Sequence, residues 1–161
     1  MTTIVERLAE VRKRIAEAEE KAGRKAGETT LVTVSKTFDA DDIRPVLQAG
    51  HRVFGENRAQ ESQGKWPQLK SAFPGVELHL IGPLQSNKTR AVAEHFDWVH
   101  SVDRLKLAER LSAQRPAGLA PLQVCLQVNI DGGPTKSGVA PSDALALARE
   151  VAQLPGLRAQ V

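Results

Sequence analysis

Lys36 is the residue whose type and placement most directly imply chemistry in this sequence. It follows the short run Leu31-Val32-Thr33-Val34-Ser35, and a helix signal comes within a few residues: Asp39 at an N-cap position, with Asp41 and Asp42 in the first turn. Such a run, ending in a polar residue before a helix, reads as one β-α unit of a parallel sheet. In parallel α/β folds, chemistry collects at the carboxyl ends of strands. A lysine amine held there and partly desolvated can form a Schiff base with an aldehyde. The plainer alternative is a solvated surface lysine.

Polar residues recur where further strands should end: Glu56-Asn57, the segment Gly82-Pro83-Leu84-Gln85-Ser86-Asn87-Lys88, Ser101 with Asp103, and Asn129 with Asp131. In register, these ends would form a shallow polar bowl. Helix capping wants Asn, Asp and Ser at the same places, but it does not account for Lys36 or for Glu56 beside Asn57. The loop Gly132-Gly133-Pro134-Thr135-Lys136-Ser137-Gly138 either cradles an anion on backbone amides or is a flexible connection, with Lys136 solvated. His51, His79, His95 and His100 lack metal-ligand spacing, and no metal site is expected.

The elements that must position these residues are legible in order. Residues 3–22 form an amphipathic helix, with Thr3 and Glu6 at capping-box spacing and Ile4, Leu8, Val11 and Ile15 in one stripe. Five β-α units follow, with strands at 31–35, 52–55, 77–81, 98–101 and 122–130. Pro45 sits awkwardly in the first of their helices. Asn57 with Gln60 has N-cap spacing for the second, which breaks near Gly64 and Pro67. Ser86 or Asn87 should cap the third helix, Asp103 the fourth, and Pro141 or Ser142 opens the fifth. Leu157–Val161 begin a sixth strand.

Alternation of this kind means a parallel sheet with helices outside. The 161 residues fall short of the roughly 200–250 that a closed (β/α)8 barrel needs, which favours an open doubly wound sheet. The stop within an apparent strand favours an incomplete barrel instead. Composition narrows the function classes. Net charge is +3 without basic blocks and aromatic content is 4%, so nucleic acid is not an expected partner. No apolar run is long enough to cross a membrane as a helix. The single cysteine, Cys125, lies in an apolar run and reads as a core residue in a reducing, cytoplasmic protein.

Four motifs then resemble a known family in order and approximate spacing. They are Ser35-Lys36-Thr37; Phe54-Gly55-Glu56-Asn57; His79-x-Ile81-Gly82-Pro83-Leu84-Gln85-Ser86-Asn87-Lys88; and Gln127-Val128-Asn129-Ile130 followed by Lys136-Ser137-Gly138. They are similar to those of the pyridoxal phosphate homeostasis proteins, over essentially the whole chain. The resemblance implies a single-domain (β/α)8 barrel of the alanine racemase N-terminal type, over residues 1–161, and overturns the open-sheet preference. It implies pyridoxal 5′-phosphate (PLP) held as a Schiff base on Lys36, with Asn57 close by and Lys136 as a second lysine that touches or relays PLP. No residue is assigned a catalytic role. Family members run on for roughly 70 residues by the barrel arithmetic, so the chain is expected to be C-terminally truncated and weak in PLP affinity, lacking the phosphate-binding loop. The implied role is a cytoplasmic PLP carrier in vitamin B6 homeostasis, passing PLP to apo PLP-dependent enzymes and monomeric at full length. The absence of tyrosine argues against a racemase-like enzyme, which stays open as an alternative beside a fragment without cofactor activity.

Overall fold

The computed structural model describes residues 2–160. Helix α1 (Ile4–Lys21) opens with the expected capping box: Thr3 accepts from the Glu6 amide, and Glu6 accepts from the Thr3 amide. Six strands follow, β1 (Thr33–Val34), β2 (Val53–Glu56), β3 (Glu77–Leu80), β4 (Trp98–Val102), β5 (Leu122–Leu126) and β6 (Leu157–Gln160). Between them lie α2 (Ala40–Gln48), α3 (Ala59–Gln63), α4 (Trp66–Ala72), a 3₁₀ turn at Ser86–Lys88 leading into α5 (Thr89–His95), α6 (Leu105–Gln114) and α7 (Pro141–Ala152).

All neighbouring strands are parallel, and their spatial order is their sequence order. That order separates the two architectures left open by periodicity. A doubly wound sheet reverses its strand order at a switch point. A sheet that advances one way throughout, with right-handed crossovers, keeps its helices on one face, as a barrel wall does. The sheet is a partial (β/α)8 wall, with no pairing between β6 and β1 among the described residues.

The core lies between wall and helices. Phe54 of β2, Leu78 and Leu80 of β3, Val99 of β4 and Leu122 and Val124 of β5 are buried against Leu47, Trp66, Leu69, Val92 and Leu111 of the helices. Phe54 packs on Trp66 with ring centroids 4.8 Å apart. On the concave face Gly55 has no side chain, and Val32 and Ile81 close over that space.

Several helix starts differ from the sequence reading. Asp39 caps α2 as expected, accepting from the Asp42 amide at 3.0 Å, and the helix runs through Pro45. The N-caps of α3 and α6 are Arg58 and Arg104, without side-chain bonds, not Asn57 and Asp103. Neither Ser86 nor Asn87 caps α5, because both lie inside the 3₁₀ turn. Asn57 and Asp103 are thus left for contacts at the sheet edge. The sixth strand's last expected residue, Val161, lies outside the described residues.

Glu19 anchors the entry to β1. It is buried at the end of α1, and its carboxylate accepts from the amides of Thr29 (2.8 Å) and Gly27 (3.2 Å). These bonds, Thr29 first, hold the carboxyl below its ordinary value of 4.5. A carboxyl depressed in the fold contributes stability above its unfolded value and loses it as pH falls through the folded one. Glu19→Gln should therefore lower Tm by a few degrees at pH 7, and the gap from the parent chain should close as pH drops well below 4.5. Thermal melts of both proteins at neutral and acid pH check this.

Candidate functional site

The parallel ladder can be followed past the strand ends. Val34 pairs with Gly55, and Gly55 with His79. Beyond that, the Ser35 amide donates to the Gly55 carbonyl and the Ile81 amide to the Glu56 carbonyl, both at 2.9 Å. Continued by one residue, the β2–β3 register sets Asn57 beside Ile81, about 4.8 Å apart, while the β1–β2 ladder ends at the Ser35 amide and Lys36 is the first residue of the turn that follows. Asn57 is half-buried and Lys36 exposed.

The expected partial desolvation of Lys36 is not observed. Its side chain stands at the open edge formed by β1, and among the described residues its amine has neither a hydrogen-bond nor an ion-pair partner. Gly82 brings the ends of β2 and β3 together: a Cβ there would press into the Asn57 carbonyl and lie 2.9 Å from the Asn57 Cα.

Glu56 does not belong to the polar bowl. Period-two alternation turns it into the helix layer, where it is fully buried. It accepts from the Ser35 hydroxyl and lies 3.0 Å from Lys65 Nζ. Lys65, between α3 and α4, is itself 5% exposed and also donates to the carbonyls of Ser35 (2.7 Å) and Phe38 (2.8 Å). Sequence reading missed Lys65. Its spacing from Glu61 suggests only a surface i,i+4 pair, and its burial arises from α3 and α4 folding over the end of β1.

Lys136 stands apart from the pair. It lies in the loop after β5, four strand steps or about 19 Å along the sheet from β1. It is exposed and ion-paired with Asp131. With Ile81, Gly82, His100 and Asn129 it lines a cleft of about 560 Å³. The loop is closed at its base: the Asn129 amide donates to the Val139 carbonyl at 2.8 Å, and the Gly138 amide to Asp103 at 3.2 Å. The structure therefore puts Lys36 and Asn57 after neighbouring strands at one end of the sheet, and Lys136 four strands away.

The histidines, scattered in sequence, are partly gathered on the concave face. His79 stacks on Trp98, and its Nδ1 lies 2.8 Å from His100 Nε2. Burial, reinforced by His100, pushes His79 down to about 4, so it is neutral near pH 7. Among the described residues no three His, Cys, Asp or Glu side chains converge on a metal position. Burial pushes the Cys125 thiol up, away from nucleophilic use. No helix among the described residues is long and apolar enough to cross a membrane.

Comparison with known proteins gives a consistent result. The family described as alanine racemase, N-terminal domain, matches residues 7–161. The pyridoxal phosphate homeostasis protein of Pseudomonas aeruginosa is 57% identical over 158 residues, covering 98% of this chain and 68% of the relative. The solved structure of PipY from Synechococcus elongatus without PLP matches with a TM-score of 0.83 at 40% identity, over 98% of this chain and 68% of PipY. PipY with PLP bound matches at 0.75 and 36% identity, over 93% and 68%.

Two outcomes follow from this geometry. Gly82→Ala must displace backbone at Asn57, and it should lower Tm by several degrees, readable by calorimetry. A histidine depressed in the fold makes the unfolded chain the better proton binder between about 4 and 6.5. Stability should therefore fall as pH drops through that window. His79→Gln should flatten this part of the Tm–pH curve.

Proposed function

The chain belongs to the alanine racemase N-terminal domain family and, within it, to the pyridoxal phosphate homeostasis proteins; from that membership we infer that it binds PLP at the carboxyl edge of β1 and β2 and helps to keep the cofactor available. One observation supports the placement: Lys36, whose amine has no partner among the described residues, and Asn57 follow the carboxyl ends of the neighbouring parallel strands β1 and β2.

The residues there suit the cofactor. PLP supplies an aldehyde, which condenses reversibly with primary amines. Lys36 offers such an amine, held by backbone bonds on both sides and not neutralised by a carboxylate. Asn57 offers an amide donor and acceptor one strand away, suited to orienting a polar substituent beside the aldehyde. The absence of a Cβ at Gly82 keeps Asn57 close against β3.

An exposed amine at an open edge suits carriage, since a cofactor held there stays within reach of other amines. Lys136, in the cleft that Ile81 and Gly82 line on the other side of β3 from Asn57, is a second amine to which PLP can pass. In this reading residues 1–161 act as one cytoplasmic PLP-binding unit of a protein that is monomeric at full length, and apo PLP-dependent enzymes are the recipients.

The test is covalent mapping. The purified chain is incubated with PLP, reduced with borohydride and digested, and the modified peptides are identified by mass spectrometry. A saturable label on the Lys36 peptide is expected. It should be lost in Lys36→Ala without loss of helical circular dichroism. Asn57→Ala should raise the half-saturating PLP concentration by about three- to tenfold, the effect of roughly one hydrogen bond. A label spread over surface lysines, and equal in Lys36→Ala, would overturn the reading.

A further inference from the structure

The turn that carries Lys36 is held by atoms outside its own strand. β1 contributes only two paired residues, so its ladder with β2 is short. Thr37, the next residue after Lys36, has φ +67°, a left-handed conformation that a β-branched residue adopts at a cost. A turn of that kind persists only where its surroundings over-determine it.

Those surroundings can be named. The Thr37 amide donates to the Glu61 carboxylate. Lys65 Nζ lies 3.4 Å from the same carboxylate oxygen and donates to the carbonyls of Ser35 and Phe38, on either side of Lys36. Glu56 takes the Ser35 hydroxyl and balances the Lys65 charge from below. Every backbone group gripped in this way belongs to residues 35–38, and none of the three charged side chains lies on β1 or α2.

We propose that Glu56, Glu61 and Lys65 form a clamp that fixes the 35–38 turn, and so act as positioning residues that aim the Lys36 amine at its aldehyde ligand. The aiming half of this assignment rests on PLP binding at Lys36; the clamp itself does not. Glu56 and Lys65 are fully or almost fully buried, and removing either strands the other charge in the interior and threatens folding. Glu61 is part-exposed, with a third of its side chain open to solvent, so it is the member to vary.

The experiment compares the parent chain with Glu61→Ala and Glu61→Gln, the second of which keeps an oxygen to accept from the Thr37 amide. Hydrogen–deuterium exchange of the 35–38 segment is read without ligand. PLP half-saturation and borohydride labelling of Lys36 are read alongside, with Tm as the control for general damage. In Glu61→Ala, exchange at 35–38 should accelerate about tenfold, the consequence of losing roughly one charge-assisted hydrogen bond. PLP half-saturation should rise about fivefold or more while Tm moves by only a few degrees. Glu61→Gln should recover most of both effects. Unchanged exchange at 35–38 in Glu61→Ala would overturn the clamp. Faster exchange with unchanged PLP affinity would overturn its positioning role. If Lys36 in the parent chain takes no specific label, the proposed function and the aiming role fall together, and exchange alone decides whether the clamp holds the turn.

Discussion

Alternation along β2 is the constraint on which this edge depends. Three consecutive residues face three environments because successive side chains leave a strand on opposite faces. Gly55 meets the concave interior, where Val32 and Ile81 leave no room for a side chain. Glu56 turns outward into the helix layer and pairs with Lys65. Asn57 emerges at the rim beside Gly82. A shift of one residue in the pairing of β2 would put the carboxylate in the interior and the amide under the helices. Register between β1 and β2 is therefore also the register of the chemistry.

The buried charges near this edge illustrate how a costly group is accommodated. Lys65 has three N–H donors, and oxygens from Ser35, Phe38, Glu56 and Glu61 surround it within 3.4 Å. An ammonium so enclosed gives up its hydration, and it is tolerable only because carboxylates and carbonyls replace the water. Two of those oxygens belong to the main chain of the loop next to β1, so neutralising the charge and shaping the loop are the same act.

Much of the fold was legible in the sequence because it rests on local signals. The capping box at Thr3 and Glu6, the Asp39 cap, the helix break near Gly64 and the succession of strands depend on spacings of a few residues. The choice between an open sheet and a barrel wall was not local, since it depends on strand order. Within the site, Lys36 and Asn57 stood out as polar residues ending apolar runs, and the runs form neighbouring parallel strands. Glu56 was noticed for the same reason but assigned to the wrong face, because a strand's last residue is where the end of alternation is hardest to read. Lys65 gave no signal at all: its burial comes from two short helices laid across another strand's end. The capping expectations at Asn57 and Asp103 failed because those side chains are not bonded to the first turns of α3 and α6, and Asp103 reaches instead to the Gly138 amide.

That last bond has a consequence for how the protein can vary. The segment from Asn129 to Val139 leaves and rejoins the body at one point, where Val128 bridges Val139 and Asp103 secures Gly138. Nothing between those posts is needed to hold the wall together. The loop is hung from two posts, so a change of conformation within it can be absorbed there while the strands on either side keep their places. The β1–α2 turn has no such freedom, because it is gripped along its whole length. One face of the same sheet thus joins Lys36, on a turn held by side chains from two other elements and the link between them, to Lys136, on a loop tied to the body at its ends.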